Sequence, residues 1–189
     1  MRQNERVSTT FPRVRRSEVG YDIEQVEDFL EDARRAYGAG RGEPTVVSAS
    51  SIRHTAFAMQ KGGYSASHVD AALERLEDAF ANRERDRSLA EHGEEAWYSD
   101  ARARAQEVLD RLARPAGDRF VRVGPLSGGY DVRDVDAFAD RLTHYFQDGL
   151  ALTINEVREV AFTPKRGGYR EAQVDMLLDS VVDVMLAVR

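Results

Sequence analysis

Apolar residues return along this chain at spacings of three and four, without sustained alternation, in four separate stretches. In each stretch a valine is followed by apolar side chains three, four and seven residues on: Val26 with Phe29, Leu30 and Ala33; Val69 with Ala72, Leu73 and Leu76; Val135 with Phe138, Ala139 and Leu142; Val174 with Leu177, Leu178 and Val181. These offsets lay one stripe on an α-helix, whereas a half-buried strand would need period two. Five residues before each valine stands a tyrosine preceded by glycine: Gly20-Tyr21, Gly63-Tyr64, Gly129-Tyr130 and Gly168-Tyr169. Directly after each valine stands an acid: Glu27, Asp70, Asp136 and Asp175. The chain therefore repeats one unit, a Gly-Tyr turn leading into an amphipathic helix.

The segments before the Gly-Tyr pairs fall into two kinds. FPRVRRSEVGYD, from Phe11, matches FVRVGPLSGGYD, from Phe120, at an offset of 109 residues; SIRHTAFAMQKGGY, from Ser51, matches EVREVAFTPKRGGY, from Glu156, at an offset of 105. The order A-B-A′-B′ implies duplication of a two-unit block, and so two similar halves. Asp22 and Asp131 are placed to N-cap the long helices, Gln25 to complete a capping box with Asp22, and Ser65 to cap the second unit; Arg170 lacks the chemistry to cap the fourth. Ser48 and Thr153 are predicted N-caps of short helices. The stretches 11–16 and 120–123 read as extended, and their pairing would make a two-stranded ribbon.

GAGRGEP, residues 38–44, reads as a flexible joint. The charged stretch near 81–115 is predicted to be a helical bridge, with Trp97, Ala101, Ala105, Val108 and Leu112 at helical spacing and Pro115 and Gly117 as its stop. Trp97 is expected to anchor the bridge by packing. The predicted organisation is a flexible tail over 1–10, a first pair of units over 11–80, the bridge over 81–115 and a second pair over 116–189. The fold class is mainly α, with the glycine of each Gly-Tyr expected to supply a positive φ and each tyrosine to plug a helix start into the core, its hydroxyl seeking a backbone partner.

GYDIEQVEDFL in the first unit and GYDVRDVDAFA in the third resemble the bacterial DivIVA domain, in which a short helix and an Arg/Gly loop lead through Gly-Tyr-Asp into a coiled-coil helix. LTINEVREVAFTPKRGGY resembles that family's leading segment, and the four stretches together look most like tandem DivIVA-repeat proteins. The resemblance implies a cytoplasmic scaffold or adaptor that works by protein contacts in cell division or polar growth, at the inner face of the membrane at septum or poles, and that can self-associate. It also implies a lipid-contacting Phe-Arg pair before Gly-Tyr. Here those positions hold Glu18-Val19, Lys61-Gly62, Ser127-Gly128 and Arg166-Gly167, so none has the phenylalanine. Met59 with Lys61, and Lys165 with Arg166, are the nearest substitutes, and they define the candidate membrane or partner contact; at about 1 kcal/mol per basic residue near an anionic leaflet, such contact is weak. The family domain pairs identical chains. Here the expected arrangement is intramolecular, unit one against three and two against four.

Composition narrows the chemistry. The chain has 189 residues, 27 Lys and Arg against 33 Asp and Glu for a net charge of −6, and no cysteine. That balance argues against nucleic acid as a partner and excludes disulfides, thiolate nucleophiles and Cys-ligated metal. No run of apolar residues has the length of a spanning helix or of a signal-peptide core. His54, His68, His92 and His144 form no metal-site pattern, GAGRG and GPLSGG lack the Gly-Lys-Ser/Thr of a phosphate loop, and no nucleophile elbow occurs. The expectation is a non-enzymatic protein with no catalytic, metal or cofactor site. The acid after each valine reads as structural, for example in an ion pair to arginine. The Arg-rich residues 1–20 carry a local charge of +3, below a polybasic membrane signal.

Overall fold

In the computed structural model residues 10–39 and 46–188 are described, so the predicted tail up to residue 9 and most of the 38–44 joint lie outside them. The protein is mainly helical with short antiparallel ribbons. The first half carries β1 (Val19–Tyr21), α1 (Ile23–Gly38), α2 (Ala49–Arg53), β2 (Met59–Lys61) and α3 (Ala66–Leu112), the last of which continues into the second compact unit; the boundary falls between Ala90 and Glu91. The second half repeats the order with β3 (Gly128–Tyr130), α4 (Val132–Asp148), α5 (Ile154–Arg158), β4 (Pro164–Arg166) and α6 (Glu171–Ala187).

Caps set the helix starts. Asp22 accepts from Gln25 N at 3.0 Å and Asp131 from Arg133 N at 2.9 Å. The short helices α2 and α5 each begin on a full capping box, Ser48 with Ser51 and Thr153 with Glu156. Arg170 makes no side-chain cap. The box predicted for Gln25 does not form, because its Oε1 accepts from Ala58 N at 2.9 Å, across in the next unit. The Ser65 hydroxyl likewise serves Ser67 Oγ and His68 Nδ1.

Strand pairing joins neighbouring units within each half. β1 pairs with β2, Val19 opposite Lys61 and Tyr21 opposite Met59, and β3 pairs with β4, Gly128 opposite Arg166 and Tyr130 opposite Pro164. Each ribbon thus joins an A unit to the B unit that follows it. The extended stretches at 11–16 and 120–123 make no ribbon with each other; Arg13 bridges to Tyr64 and Arg122 to Tyr169. The physical reason is local: Val14 N donates to Gly63 O and Ser65 N to Pro12 O, both at 2.8–2.9 Å, which threads the B-unit turn between the two arms of the A-unit loop.

The helical stripes read from the spacing are the cores. In the first half Val26, Tyr64 and Val69 form one cluster and Ala33, Val47, Ala49, Ile52 and Phe80 another. In the second, Val135, Phe138, Ala139, Leu142, Val174, Leu177 and Val181 are buried, and α5 packs on α6. Ala101, Val108 and Leu112 line the buried side of α3 beyond Glu91, and Trp97 Nε1 donates to Ala187 O at 3.2 Å, so the tryptophan anchors this stretch of helix. No helix among the described residues is long and apolar enough to cross a membrane.

Candidate functional site: the Gly-Tyr locks and the ribbon ends

At the centre of each half the two Gly-Tyr pairs meet back to back. Tyr21 N donates to Tyr64 O and Tyr64 N to Tyr21 O, each at 2.9 Å; Tyr130 and Tyr169 exchange the same bonds at 3.0 and 2.8 Å. This is the close, doubly bonded pair of an antiparallel ladder. It explains the glycines in a way that corrects the sequence reading. None of the motif glycines has a positive φ. A Cβ on Gly20 would instead stand 2.2 Å from Tyr64 O, on Gly63 2.3 Å from Tyr21 O, on Gly129 2.3 Å from Tyr169 O and on Gly168 2.2 Å from Tyr130 O. Glycine is there so that the partner's backbone can approach.

The tyrosine side chains cross in the same reciprocal manner. Tyr64 OH donates to Glu27 Oε1 at 2.6 Å and Tyr169 OH to Asp136 Oδ1 at 3.1 Å, while the Tyr21 hydroxyl lies near Asp70 and the Tyr130 hydroxyl near Asp175. Each acid that follows a stripe valine thus neighbours the tyrosine of the other unit in its half, and Glu27 and Asp136 accept its hydroxyl. The expected backbone partners are present as well, but as donors to the two buried hydroxyls: Arg119 N to Tyr169 at 3.3 Å, and Thr10 to Tyr64. Burial first, with the neighbouring carboxylates adding, raises all four tyrosines above their ordinary value. They stay protonated at neutral pH and act as donors, not as phenolate nucleophiles. The Asp175 carboxyl is pushed up by desolvation, with the nearby Asp179 charge adding, although the neighbouring Tyr130 hydroxyl opposes this.

Aromatic rings close the lock. Phe11 packs edge-on against Tyr64 with centroids 5.5 Å apart and Phe120 against Tyr169 at 5.3 Å; Phe57 touches Tyr21 and Phe29, and Phe162 touches Tyr130 and Phe138. The recurrence of Phe11 and Phe57 at offsets of 109 and 105 was the signal for this cluster. The halves differ in charge at one position beside the lock. Arg119, buried where the first half has Thr10, donates to Leu112 O at 3.1 Å and to Asp136 O at 2.8 Å, and pairs with Asp136 and Asp140. It is the ion pair expected of the repeated acid, realised at one of four positions.

The candidate contact residues fall on the ribbons. Met59 and Lys61 are exposed on β2, and Lys165 and Arg166 on β4. Lys165 is committed: its Nζ lies 2.7 Å from Asp131 Oδ2, and with the Arg133 N–H it holds that cap carboxyl below its ordinary value. A residue that sequence reasoning passed over is more prominent. Leu126, 84% exposed, stands with Pro125 at the tip of the turn closed by Ser127 N to Gly124 O at 2.9 Å. Arg166, opposite Gly128, flanks that turn. Nothing in the helical periodicity pointed to Leu126, since its counterpart in the first half is Ser17.

The second unit also has an open groove of about 310 Å³ lined by Arg104, Val108, Arg111, Phe120, Met176 and Leu177. Among the described residues no group of three or more His, Cys, Asp or Glu is arranged to hold a metal ion. Comparison with family models, with curated proteins and with solved structures finds no match for this chain.

Proposed function

We propose that this protein is a non-catalytic structural or adaptor module of the DivIVA-repeat type, acting through protein contacts in cell division or polar growth at the inner face of the membrane. The observation that carries this reading is the reciprocal lock. The side chains repeated through all four units are consumed in holding A to B, by Tyr64 on Glu27 and Tyr169 on Asp136. What remains for recognition is the exposed ends of the ribbons and the outer helix faces, a surface suited to docking. The resemblance of GYDIEQVEDFL to the family's helix entry supports the same class. A fluorescent fusion at native expression tests it: septal or polar enrichment, with division or envelope proteins recovered on pull-down, is expected, and a diffuse signal with none recovered overturns it.

A second reading is favoured by Leu126: a peripheral membrane protein without a division partner. An 84% exposed leucine at a turn tip beside Arg166 combines a small apolar wedge with a cation. Co-sedimentation with phosphatidylglycerol vesicles separates the readings. Binding that Leu126→Asp abolishes, in a cell where the fusion shows no septal or polar enrichment, selects the lipid role.

A further inference from the structure

Along the whole of α3 one residue leaves helical geometry: Gly93, at φ 83° and ψ 166°. That region is essentially closed to residues bearing a Cβ. Among the described residues nothing packs against it, for a Cβ built on Gly93 meets no atom within 4 Å, and residues 91–96 are exposed. Fixed points flank it. Arg83 Nη2 donates to Ala39 O at 2.6 Å in the first unit, and Trp97 Nε1 holds Ala187 O in the second, with the unit boundary between them at Ala90 and Glu91. The stretch 84–96 has no proline and is rich in Glu, Arg, Ala and Leu, good helix formers on both sides of the break. Neither contacts at Gly93 nor a breaking sequence around it imposes the interruption. It rests on the backbone of one glycine, which enters either geometry without a Cβ penalty.

We propose that Gly93 is a conformational pivot: α3 is broken when Gly93 holds its positive φ and continuous from Ala66 to Leu112 when Gly93 is helical. A partner with differential contacts to the broken and the continuous helix would select one of them. The inference concerns the chain itself and stands or falls apart from the adaptor reading.

The chain has no cysteine, so Asp86→Cys and Asp100→Cys, both exposed, carry spin labels on either side of Gly93 in the full-length protein. In a continuous helix these positions lie about 21 Å apart, at 1.5 Å per residue. Pulsed dipolar measurement should find Gly93→Ala, to which the broken geometry is closed, gathered near about 21 Å. His92→Gly, which weakens the helix and keeps the pivot, should move the distances away from that value. Open space around position 93 predicts that Gly93→Ala does not lower the wild-type urea midpoint. A Gly93→Ala distribution that stays away from about 21 Å overturns the proposal, as does one distribution shared by wild type and both variants.

Discussion

Tyr64 donates its hydroxyl to Glu27 at 2.6 Å across 37 positions of sequence, and within the same half Asp70 lies near the Tyr21 hydroxyl. The buried member of each pair, Tyr64 or Tyr169, is fully enclosed. Replacing Tyr64 by Phe keeps the ring against Phe11 and withdraws only the hydroxyl, which should cost about 1–2 kcal/mol. Tyr64→Ala also opens a cavity and should cost about 3–5 kcal/mol. Urea unfolding followed on the first half checks the ratio; equal costs for Phe and Ala would show that the ring contributes nothing.

The motif glycines should tolerate nothing larger. Gly20→Ala forces a methyl into Tyr64 O and breaks the paired backbone bonds, an expected loss of about 2–3 kcal/mol or more. Gly38→Ala, at the end of α1 with no atom within 4 Å, is the control and should be neutral or stabilising by up to about 1 kcal/mol. Thermal melts of the two variants compare the sites directly.

Arg119 bonds the last carbonyl of α3, at Leu112, and braces α4 through a fork of bonds that a lysine lacks. Arg119→Lys retains the charge but loses the simultaneous contacts to Leu112 O, Asp136 and Asp140. The expected cost is about 1–3 kcal/mol, read by chemical denaturation of the second half.

Two aspartates give opposite pH dependence. The Asp175 carboxyl is raised, so its contribution to stability is full below the ordinary aspartate value near pH 4 and is lost as pH rises through the elevated folded value. Asp175→Asn, neutral throughout, should therefore gain on wild type between about pH 4 and pH 7. The Asp131 carboxyl is lowered, first by Lys165, so its contribution is present above about pH 4 and is lost as pH falls through the depressed folded value. Lys165→Met should lower the urea midpoint at pH 7, with the difference shrinking in strong acid.

The amphipathic helices and their caps were legible because each depends on residues three to five apart, and the duplication because the same motifs return at fixed offsets. Val26 with Phe29, Leu30 and Ala33 is a helix face whatever it packs against, and Ser48 and Thr153 cap the turns that begin beside them. The exchange between units was not. Gln25 looked like half of a capping box until Ala58 N claimed it, and Gly20 looked like a turn residue until the Tyr64 carbonyl was seen against it. Both partners lie more than thirty residues away, where no local period reaches.

By itself the sequence determined a mainly helical chain of four Gly-Tyr units in two kinds, since propensity, capping and the apolar stripe act within one or two turns. Only the tertiary structure decided that A joins the B that follows it, that Leu126 stands exposed at a turn tip, and that glycine serves close approach in place of positive φ. The reason lies in the long-range backbone pair Tyr21 and Tyr64, and its copy Tyr130 and Tyr169: four hydrogen bonds whose existence depends on which two turns meet, a choice that equal motifs in all four units leave open.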